Sequence, residues 1–410
     1  MADRNSSLSR SVAARRIIRG ATRRIDPISN VLASPPAVTI PAGTYGNSTI
    51  ITTATTNQGG GRFNSENPLH ATPMGGSLNT GIFQTITRLP GQTPARFAGH
   101  SAGVSFATRS SVFDICIRAA NFNVIMYATD LLTGARARVA VDDIVQVGPE
   151  ERYYKVDFGS AAMRGIEVYT GISAKLFGIN VPTTDSVWAW SGASEQPRIA
   201  MLWDSYGQGE LSDTGTLNKL KLATPDYIAA RLGCANPWIN ALAGTGVVAT
   251  GAAPGTFNSF AQRVAAGDLD ASRVGGFDLV WAPVSVNDSG TTYNLTDATV
   301  QSAYASMIAA LMAAQPDAII VGSGPQYAVQ IKPPQSRFDA AKAGFLAAAG
   351  ADPRMIHLDN SLTGENWMFD GINATIIGAD GLHPTKVGAQ YLGERIGGSI
   401  AAAVKTRFSL

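Results

Sequence analysis

Apolar residues in the second half of the chain form short runs, and these runs alternate with longer segments of helical character. The short runs predict four strands, at residues 199–203, 277–282, 318–321 and 355–358. The longer segments predict helices at about 225–232, 297–314, 336–350 and 386–404. Strands that alternate with helices form a parallel sheet covered on both faces, so we expect an α/β domain over residues 197–405.

Between residues 81 and 192 the pattern changes to short runs in which apolar and polar residues alternate. These runs predict strands at 103–108, 112–117, 123–128, 137–141, 152–158 and 165–169. The segment from Asp130 to Gly134 has the residue types of a hairpin turn. Because turn residues separate the strands at short intervals, we expect a β-sandwich, jelly-roll-like domain here.

The first 80 residues show neither pattern. Residues 27–80 are rich in Thr, Asn, Gly, Pro and Ser and predict an extended arm or linker with short strands. Residues 1–24 carry seven arginines against one aspartate, and this charge interrupts the apolar core that a secretory signal needs. Three interpretations of the basic segment stay open: a disordered tail, an amphipathic helix that docks on a partner or an anionic surface, and a transit-like peptide.

Composition and charge exclude several classes of protein. The 410 residues are 45% hydrophobic and 15% charged, with a net charge of +2. The basic segment supplies about +6 of this charge, so the rest of the chain sums to about −4 and has no nucleic-acid-binding character. Two cysteines, Cys116 and Cys234, are too few for a disulfide framework or a structural zinc site. No apolar run reaches the roughly 18 residues of a membrane-spanning helix. We therefore expect no metal, no cofactor, no nucleic-acid partner and no transmembrane segment.

Candidate catalytic chemistry lies in two segments far apart in sequence. Ser205 follows the apolar run 199–203 and precedes a Gly-containing segment, which is the position of a nucleophile at a strand-to-helix turn. Near the C-terminus, Asp380 lies three residues before His383. A carboxylate at that spacing can accept a hydrogen bond from the histidine Nδ1 and leave Nε2 to take a proton from a serine. The sequence thus predicts a Ser-His-Asp triad.

Four segments in chain order resemble those of the SGNH hydrolases, the GDSL-type serine esterases. They are Asp204-Ser205, the Gly-rich turn 243–246, Val286-Asn287-Asp288, and Asp380-Gly-Leu-His383-Pro384. The resemblance implies a flavodoxin-like three-layer α/β fold with Ser205 as nucleophile, His383 as general base and Asp380 as the residue that orients it. It also implies an oxyanion hole made by the backbone N–H groups of Ser205 and Gly244 and the side-chain amide of Asn287. Gly246 is the alternative to Gly244 as the second donor.

Two positions depart from the family pattern. Trp203 stands where the family has the Gly before Asp-Ser, and Ser285 stands where the family has the Gly two residues before the Asn. The triad itself is untouched by these changes. They concern the walls of the pocket and the geometry of the oxyanion hole.

A β-domain before such a hydrolase domain resembles the layout of two-domain carbohydrate O-acetylesterases. Four aromatic residues are candidates for stacking on sugar rings or, alternatively, ordinary core residues: Tyr153, Tyr154, Trp188 and Trp190. Polar residues near Ser205 favour a hydrophilic acyl ester over a lipid; they are Gln208, Ser212, Asp213 and Thr214.

These features predict a serine esterase that removes acyl groups, above all O-acetyl groups, from a polysaccharide. The alternatives are a thioesterase or lysophospholipase of the same family, and a catalytically silent glycan-binding structural protein of a virion. With no signal peptide, action outside the cell would fit a component of a phage particle anchored through residues 1–80; otherwise the protein would be cytoplasmic.

Overall fold

The structure is a computed structural model that describes most of the second half of the chain and separate segments of the first half. The described residues are 2–23, 37–39, 71–72, 102–118, 122–139, 144–146, 151–170, 175–182, 185, 187–189, 196–209, 223–234, 237–251, 254–255, 257–290, 292–326, 330–361, 363–365, 367 and 376–410.

Short antiparallel strands make up the described part of residues 37–189. They are β1 (Ala37–Thr39), β2 (Ala71–Thr72), β3 (Ala102–Thr108), β4 (Val112–Arg118), β5 (Phe122–Asp130), β6 (Arg136–Arg138), β7 (Ile144–Gln146), β8 (Glu151–Asp157), β9 (Arg164–Thr170), β10 (Lys175–Asn180) and β11 (Val187–Ala189). One sheet has the order β1-β8-β4-β10, and the other has the order β11-β3-β9-β5-β6, with β2 beside β3 and β7 beside β5.

The two antiparallel sheets contact each other through aromatic side chains. The rings of Phe106 on β3 and Phe113 on β4 meet edge to face, with their centroids 5.4 Å apart. The predicted hairpin turn is present, because Gly134 N–H donates to the Asp130 carbonyl at 2.8 Å and Gly134 adopts a positive φ of 73°. The strands β1 and β2 come from the predicted arm and pair with β8 and β3. The β-sandwich, jelly-roll-like arrangement stays a prediction.

A five-stranded parallel sheet forms the centre of the second half of the chain. Its strands are β12 (Ile199–Trp203), β13 (Trp238–Ala241), β14 (Leu279–Trp281), β15 (Ile319–Ser323) and β16 (Met355–Leu358). Their spatial order is β13-β12-β14-β15-β16, which is the doubly wound 2-1-3-4-5 order with its switch point between β12 and β14. The α/β prediction for this half is confirmed, and ligands of such sheets bind beyond the carboxyl ends of the strands at the switch point.

Helices cover both faces of this parallel sheet. We number the helices from the N-terminus: α1 (Ala2–Arg23), α2 (Ser205–Gln208), α3 (Thr224–Arg231), α4 (Phe260–Ala265), α5 (Ala271–Val274), α6 (Asp297–Ala314), α7 (Gln335–Ala349) and α8 (Lys386–Phe408). Successive residues of β12 point to opposite faces. Met201 therefore joins a core with Leu392 of α8, while Leu202 joins a second core with Tyr304 of α6. We call these the α8-side core and the α6-side core.

The basic N-terminal segment forms helix α1, and its apolar side chains pack on this chain itself. Ala14 and Ile17 are fully buried in the α8-side core. The guanidinium of Arg231 donates to the Ala21 carbonyl at 3.1 Å, and Arg16 lies 3.4 Å from Asp278. Of the three interpretations left open, a disordered tail is therefore wrong for this segment. None of the described helices is long and apolar enough to span a membrane.

Candidate active site

The turn after β12 presents Ser205 at the carboxyl edge of the sheet. β12 ends at Trp203, and α2 begins at Ser205 with Asp204 as its N-cap, whose Oδ1 accepts the Tyr206 N–H at 3.0 Å. The turn is tight, because a Cβ on Gly207 would lie 2.5 Å from the Cβ of Trp203. Ser205 itself is nearly buried, with 4% of its surface exposed. The position fits the strand-to-helix turn predicted for a nucleophile.

Trp203 fills the space beneath this turn. The side chain is fully buried and its ring stacks on that of Tyr206, with centroids 6.2 Å apart and planes inclined by 14°. It also meets Trp281 of β14 edge to face. The residue that replaces the family's glycine therefore packs into the α8-side core, on which the turn rests.

Asp380 and His383 form a hydrogen-bonded pair in the loop before α8. Asp380 Oδ2 lies 2.7 Å from His383 Nδ1, while Oδ1 accepts the backbone N–H groups of Leu382 and His383 at 3.0 Å each. Partial burial acts to raise the pKa of Asp380, but the hydrogen bonds from Leu382 and His383 outweigh it and leave this pKa below its usual value. An ionised carboxylate at Nδ1 favours the tautomer in which Nε2 can accept a proton.

Tyr206 connects the serine turn to the histidine loop. Its hydroxyl donates to the Leu382 carbonyl at 2.6 Å, and its ring lies 6.1 Å from the imidazole of His383, centroid to centroid. Because Tyr206 is adjacent to Ser205 and Leu382 is adjacent to His383, this contact brings the predicted nucleophile and base to the same edge of the sheet. Sequence reasoning gave Tyr206 no role, since a single tyrosine after the serine carries no spacing signal.

The loop after β13 supplies candidate oxyanion donors. Gly244 has a positive φ of 74°, and within the described part of the chain its N–H has no hydrogen-bond acceptor. The N–H of Gly246, in contrast, donates to the Ala249 carbonyl at 2.8 Å. The geometry therefore favours Gly244 over Gly246 as the backbone donor.

Asn287 lies on a 3₁₀ turn, Val286–Ser289, in the connection that follows β14. Its Nδ2 donates to the Thr245 carbonyl at 3.0 Å, so the third predicted donor contacts the loop that carries Gly244. The structure thus places Ser205, Gly244 and Asn287 on the turns that follow β12, β13 and β14, the three strands around the switch point.

Asp288 joins the turn after β14 to the loop after β13, a role that the sequence did not predict. The carboxylate is fully buried and accepts four backbone N–H groups, at 2.8 to 3.3 Å, from Val247, Val248, Ala249 and Ser285. Burial raises its pKa, and these hydrogen bonds oppose the rise. From the sequence, Asn287-Asp288 has only the composition of a turn, and the partners of Asp288 become visible only in the fold.

A buried arginine lies behind the same turns. Arg263 is fully buried and donates to Asn240 Oδ1 at 2.8 Å, to the Trp203 carbonyl at 3.1 Å and to Thr245 Oγ1 at 3.2 Å. Burial lowers its pKa to about 9, which leaves the guanidinium charged at neutral pH. Arg263 therefore fixes the carboxyl ends of β12 and β13 relative to the oxyanion loop.

Several other residues considered from the sequence have different outcomes. Gln208 Oε1 accepts the Ala243 N–H at 2.7 Å and so supports the oxyanion loop. His357, for which the sequence predicts no catalytic role, lies on β16, where burial lowers its pKa to about 4. Other candidates lie outside the described residues or side chains; they are Tyr153, Tyr154, Trp188, Trp190, Ser212, Asp213 and Thr214. The described residues include no group of three or more metal-ligating side chains.

Comparisons with known proteins support the fold. No protein-family model and no curated relative matches the chain. Two structures of a family two carbohydrate esterase from Clostridium thermocellum, an active-site mutant and a complex with cellohexaose, match with TM-scores of 0.52 and 0.50 at 16% identity; each covers 75% of this chain and 93% of that chain.

Two further solved structures match at a similar level. An acetyl xylan esterase from the rumen bacterium Butyrivibrio proteoclasticus has a TM-score of 0.50 at 11% identity, covering 81% of this chain and 95% of that chain. A salicylyl-acyltransferase from a tetracycline biosynthetic pathway has a TM-score of 0.52 at 14% identity, covering 73% and 82%. The chain therefore has the fold of the SGNH-type carbohydrate esterases, as the resemblance predicted. The matches extend beyond the α/β part, which takes up roughly half of the chain.

Proposed function

We propose that this protein is a metal-independent serine esterase that removes acyl groups, most specifically O-acetyl groups, from a polysaccharide. The observation that carries the proposal is the convergence of two elements at the switch point of the sheet. One is the Ser205 turn, and the other is the Asp380–His383 pair with its 2.7 Å contact. Tyr206 joins them. Solved structures of the same fold include carbohydrate esterases, which supports an ester substrate.

In the proposed mechanism, His383 Nε2 takes the proton of the Ser205 hydroxyl as Oγ forms a bond to the acyl carbon. The carbonyl π electrons move to the oxygen, and the resulting oxyanion accepts hydrogen bonds from Ser205 N–H, Gly244 N–H and the Asn287 amide. The bond to the sugar oxygen then breaks as the imidazolium returns its proton to that oxygen. Water repeats the sequence on the acyl-enzyme and releases acetate. Asp380 stabilises the imidazolium in both halves.

The test compares the wild type with Ser205→Ala in the hydrolysis of p-nitrophenyl acetate with EDTA present. We expect release of p-nitrophenol by the wild type and a loss of at least about a thousandfold in kcat for the variant, because the nucleophile is absent. Ser110→Ala is the matched control, because Ser110 is a buried serine in the connection between β3 and β4. Equal activity of the wild type and Ser205→Ala would mean that Ser205 is not the nucleophile.

Substrate profiling separates the acetylesterase from its alternatives. Acetylated polysaccharides, acyl thioesters and lysophospholipids are offered to the wild type, and release of acetate from the polysaccharide is the expected dominant activity. If the folded protein hydrolyses none of them but binds polysaccharide, the silent glycan-binding alternative is supported instead.

Attachment of residues 1–80 to a larger assembly, such as a phage particle, is the remaining hypothesis. Helix α1 is part of the α8-side core, and β1 and β2 pair with the antiparallel sheets. The deletion that tests attachment must therefore spare residues 2–23, 37–39 and 71–72. Loss of particle incorporation with hydrolysis intact would support an anchoring arm. Retained incorporation would exclude the deleted part as the anchor.

A further inference from the structure

Ser285, at one of the two positions where the chain departs from the family pattern, has a fully hydrogen-bonded hydroxyl in the interior. Its Oγ–H donates to Asp204 Oδ2 at 2.5 Å. The same oxygen accepts the backbone N–H of Asn287 at 3.0 Å and its Nδ2–H at 3.1 Å. A hydroxyl has one donor and two acceptor positions, and all three are used here. Ser285 therefore links the serine turn after β12 to the asparagine turn after β14.

The direction of these hydrogen bonds is fixed by charge. An ionised Asp204 carboxylate can only accept, so the single proton of Ser285 must point toward Asp204. The lone pairs of Ser285 Oγ then face Asn287, which must turn its NH₂ group rather than its Oδ1 toward the serine. The second hydrogen of Nδ2 is donated to the Thr245 carbonyl at 3.0 Å. These hydrogen bonds thus determine the orientation of the Asn287 amide, that is, which terminal atom is Nδ2 and which is Oδ1.

We infer that Ser285 is a positioning residue that keeps the NH₂ group of Asn287, and not its carbonyl, available to the oxyanion. This inference rests on the proposed esterase function. A flipped amide would present oxygen lone pairs to a developing negative charge and would repel it. Both Nδ2 hydrogens have protein acceptors in the structure, so one of them is shared with or released to the oxyanion in the transition state. The effect of Ser285 is therefore expected on turnover and not on substrate affinity.

The first variants are Ser285→Ala and Ser285→Thr, with p-nitrophenyl acetate as substrate. Loss of a whole oxyanion donor costs on the order of a hundredfold in kcat. Ser285→Ala keeps the Asn287 donor but removes the hydroxyl that orients it, so its kcat should fall by about tenfold. KM should stay within about twofold of the wild type. Ser285→Thr restores the hydroxyl and should recover kcat to within about threefold. A loss that appears mainly in KM would overturn the inference.

Ser110→Ala is the matched control for loss of a buried serine. Ser110 Oγ lies 2.6 Å from the Val112 carbonyl oxygen and 2.7 Å from Asp185 Oδ2, either of which can accept its proton, and it accepts the Val112 N–H at 3.2 Å. This variant therefore removes a buried, hydrogen-bonded serine hydroxyl beside an aspartate, away from the site. We expect its kcat to equal that of the wild type. A loss in Ser110→Ala as large as in Ser285→Ala would mean that both act only through stability.

A double-mutant cycle with Asn287→Ala tests the route of the effect. If Ser285 acts through Asn287, Ser285→Ala should cause no further loss of kcat in the Asn287→Ala background. The same tenfold loss in both backgrounds would show that Ser285 acts independently of Asn287 and would overturn the inference.

Failure of the proposed function would be recognised separately, as a wild type with no more activity than Ser205→Ala. In that case, NMR tests the positioning role of Ser285. The signals of the Asn287 Nδ2 protons are assigned by their absence from the spectrum of Asn287→Ala. Slow exchange of these protons with solvent in the wild type and Ser110→Ala, and fast exchange in Ser285→Ala, would support the positioning role. Equal exchange in all three proteins would overturn it.

Discussion

Asp204, which precedes Ser205, is an acidic residue in the interior of the candidate site. It is fully buried, and burial raises its pKa to about 6, although hydrogen bonds from Ser285 and the Tyr206 N–H oppose the rise. At neutral pH it is nevertheless ionised and accepts the Ser285 proton. The site therefore keeps a charged group in its interior where an amide would be easier to bury.

Because a buried charge is costly, we expect Asp204→Asn to raise stability and to lower activity. The folded pKa of about 6 exceeds the ordinary value of 3.8, so between these values the folded protein binds a proton that the unfolded chain has lost. Folding stability contributed by Asp204 is therefore lost as pH rises through this window, by about 3 kcal/mol in total. The free energy of unfolding of Asp204→Asn, compared with that of the wild type, should therefore rise as the pH goes from about 4 to about 7. The kcat of the variant should be lower than that of the wild type.

Urea unfolding of both proteins across that range gives the measurement. Asp380→Asn is the control of opposite sign, because the folded pKa of Asp380 is lowered. It should become less stable relative to the wild type as pH rises through the acid range. A difference between wild type and Asp204→Asn that does not change with pH would contradict the raised pKa.

Tyr206 offers a second prediction for a single residue. Tyr206→Phe removes the hydroxyl that donates to the Leu382 carbonyl but keeps the ring that stacks on Trp203. Because His383 follows Leu382, its placement relative to Ser205 should loosen, and kcat should fall roughly tenfold with KM little changed. The measurement is the steady-state kinetics of ester hydrolysis.

Tyr304→Phe is the matched control for that variant. Tyr304 is also fully buried, and its hydroxyl donates to the Ala282 carbonyl at the same distance, 2.6 Å, but from the α6 side of the sheet. Both variants should lose about 1 kcal/mol of stability, while only Tyr206→Phe should lose turnover. Equal losses of kcat would assign the effect to stability.

Helix α1 contacts the turn that follows α3 closely at two glycines, Gly20 on the helix and Gly233 on the turn. A Cβ on Gly20 would lie 2.1 Å from the Leu232 carbonyl oxygen, and one on Gly233 would lie 2.4 Å from the Cα of Gly20. Gly233 also has a positive φ of 72°, which favours glycine. The backbone of α1 thus rests directly on the turn that follows α3.

Gly20→Ala should therefore destabilise the protein, by roughly 1–3 kcal/mol, since the neighbouring atom is backbone and must move. Gly398→Ala is the matched control, because Gly398 lies within α8 with no atom within 4 Å of the added Cβ. There alanine should stabilise the helix by up to about 1 kcal/mol. Thermal or urea unfolding of both variants measures the contrast. Equal stability of Gly20→Ala and the wild type would mean that α1 does not pack as described.

How far the elements could be predicted depends on how local their signals are. Four strands of the parallel sheet were visible as apolar runs, and the helix predicted at 297–314 is confirmed, with Thr296 as its N-cap. β13 was missed because it is short and includes a polar residue, Asn240, whose burial depends on Arg263. The packing of α1 could not be predicted, because its partners lie far away in sequence.

The candidate site divides in the same way. Asp380 and His383 have a spacing that the chemistry requires, and Ser205 follows a predicted strand, so all three were found from sequence; their catalytic roles stay predictions. Ser285, Asp288 and Arg263 act through partners on other turns, so no local pattern marks them. Residues of the first kind can be recognised from a local sequence pattern, whereas those of the second kind can be recognised only from their contacts in the folded structure.

At the scale of the whole molecule, the parallel sheet with its helices includes elements from both ends of the chain. α1 and α8 both contribute to the α8-side core, through Ile17 and Leu392 among others. The antiparallel sheets lie between these ends in sequence. The 1–80 arm is therefore not one unit: its first helix belongs to the α/β part, while β1 and β2 pair with the antiparallel sheets.

Because α1 and α8 share a core, the α/β part cannot complete its folding on the ribosome until α8 has been made. α1 is synthesised long before α8, which shares its core, and even the Arg16–Asp278 contact spans 262 residues. Closure of the core around Ala14 and Ile17 therefore waits until α8 has been synthesised. Folding dominated by such distant contacts is slow and leaves apolar surface exposed to aggregation. A chain that ends before residue 380 would thus lack Asp380 and His383 as well as the helix that covers Ala14 and Ile17.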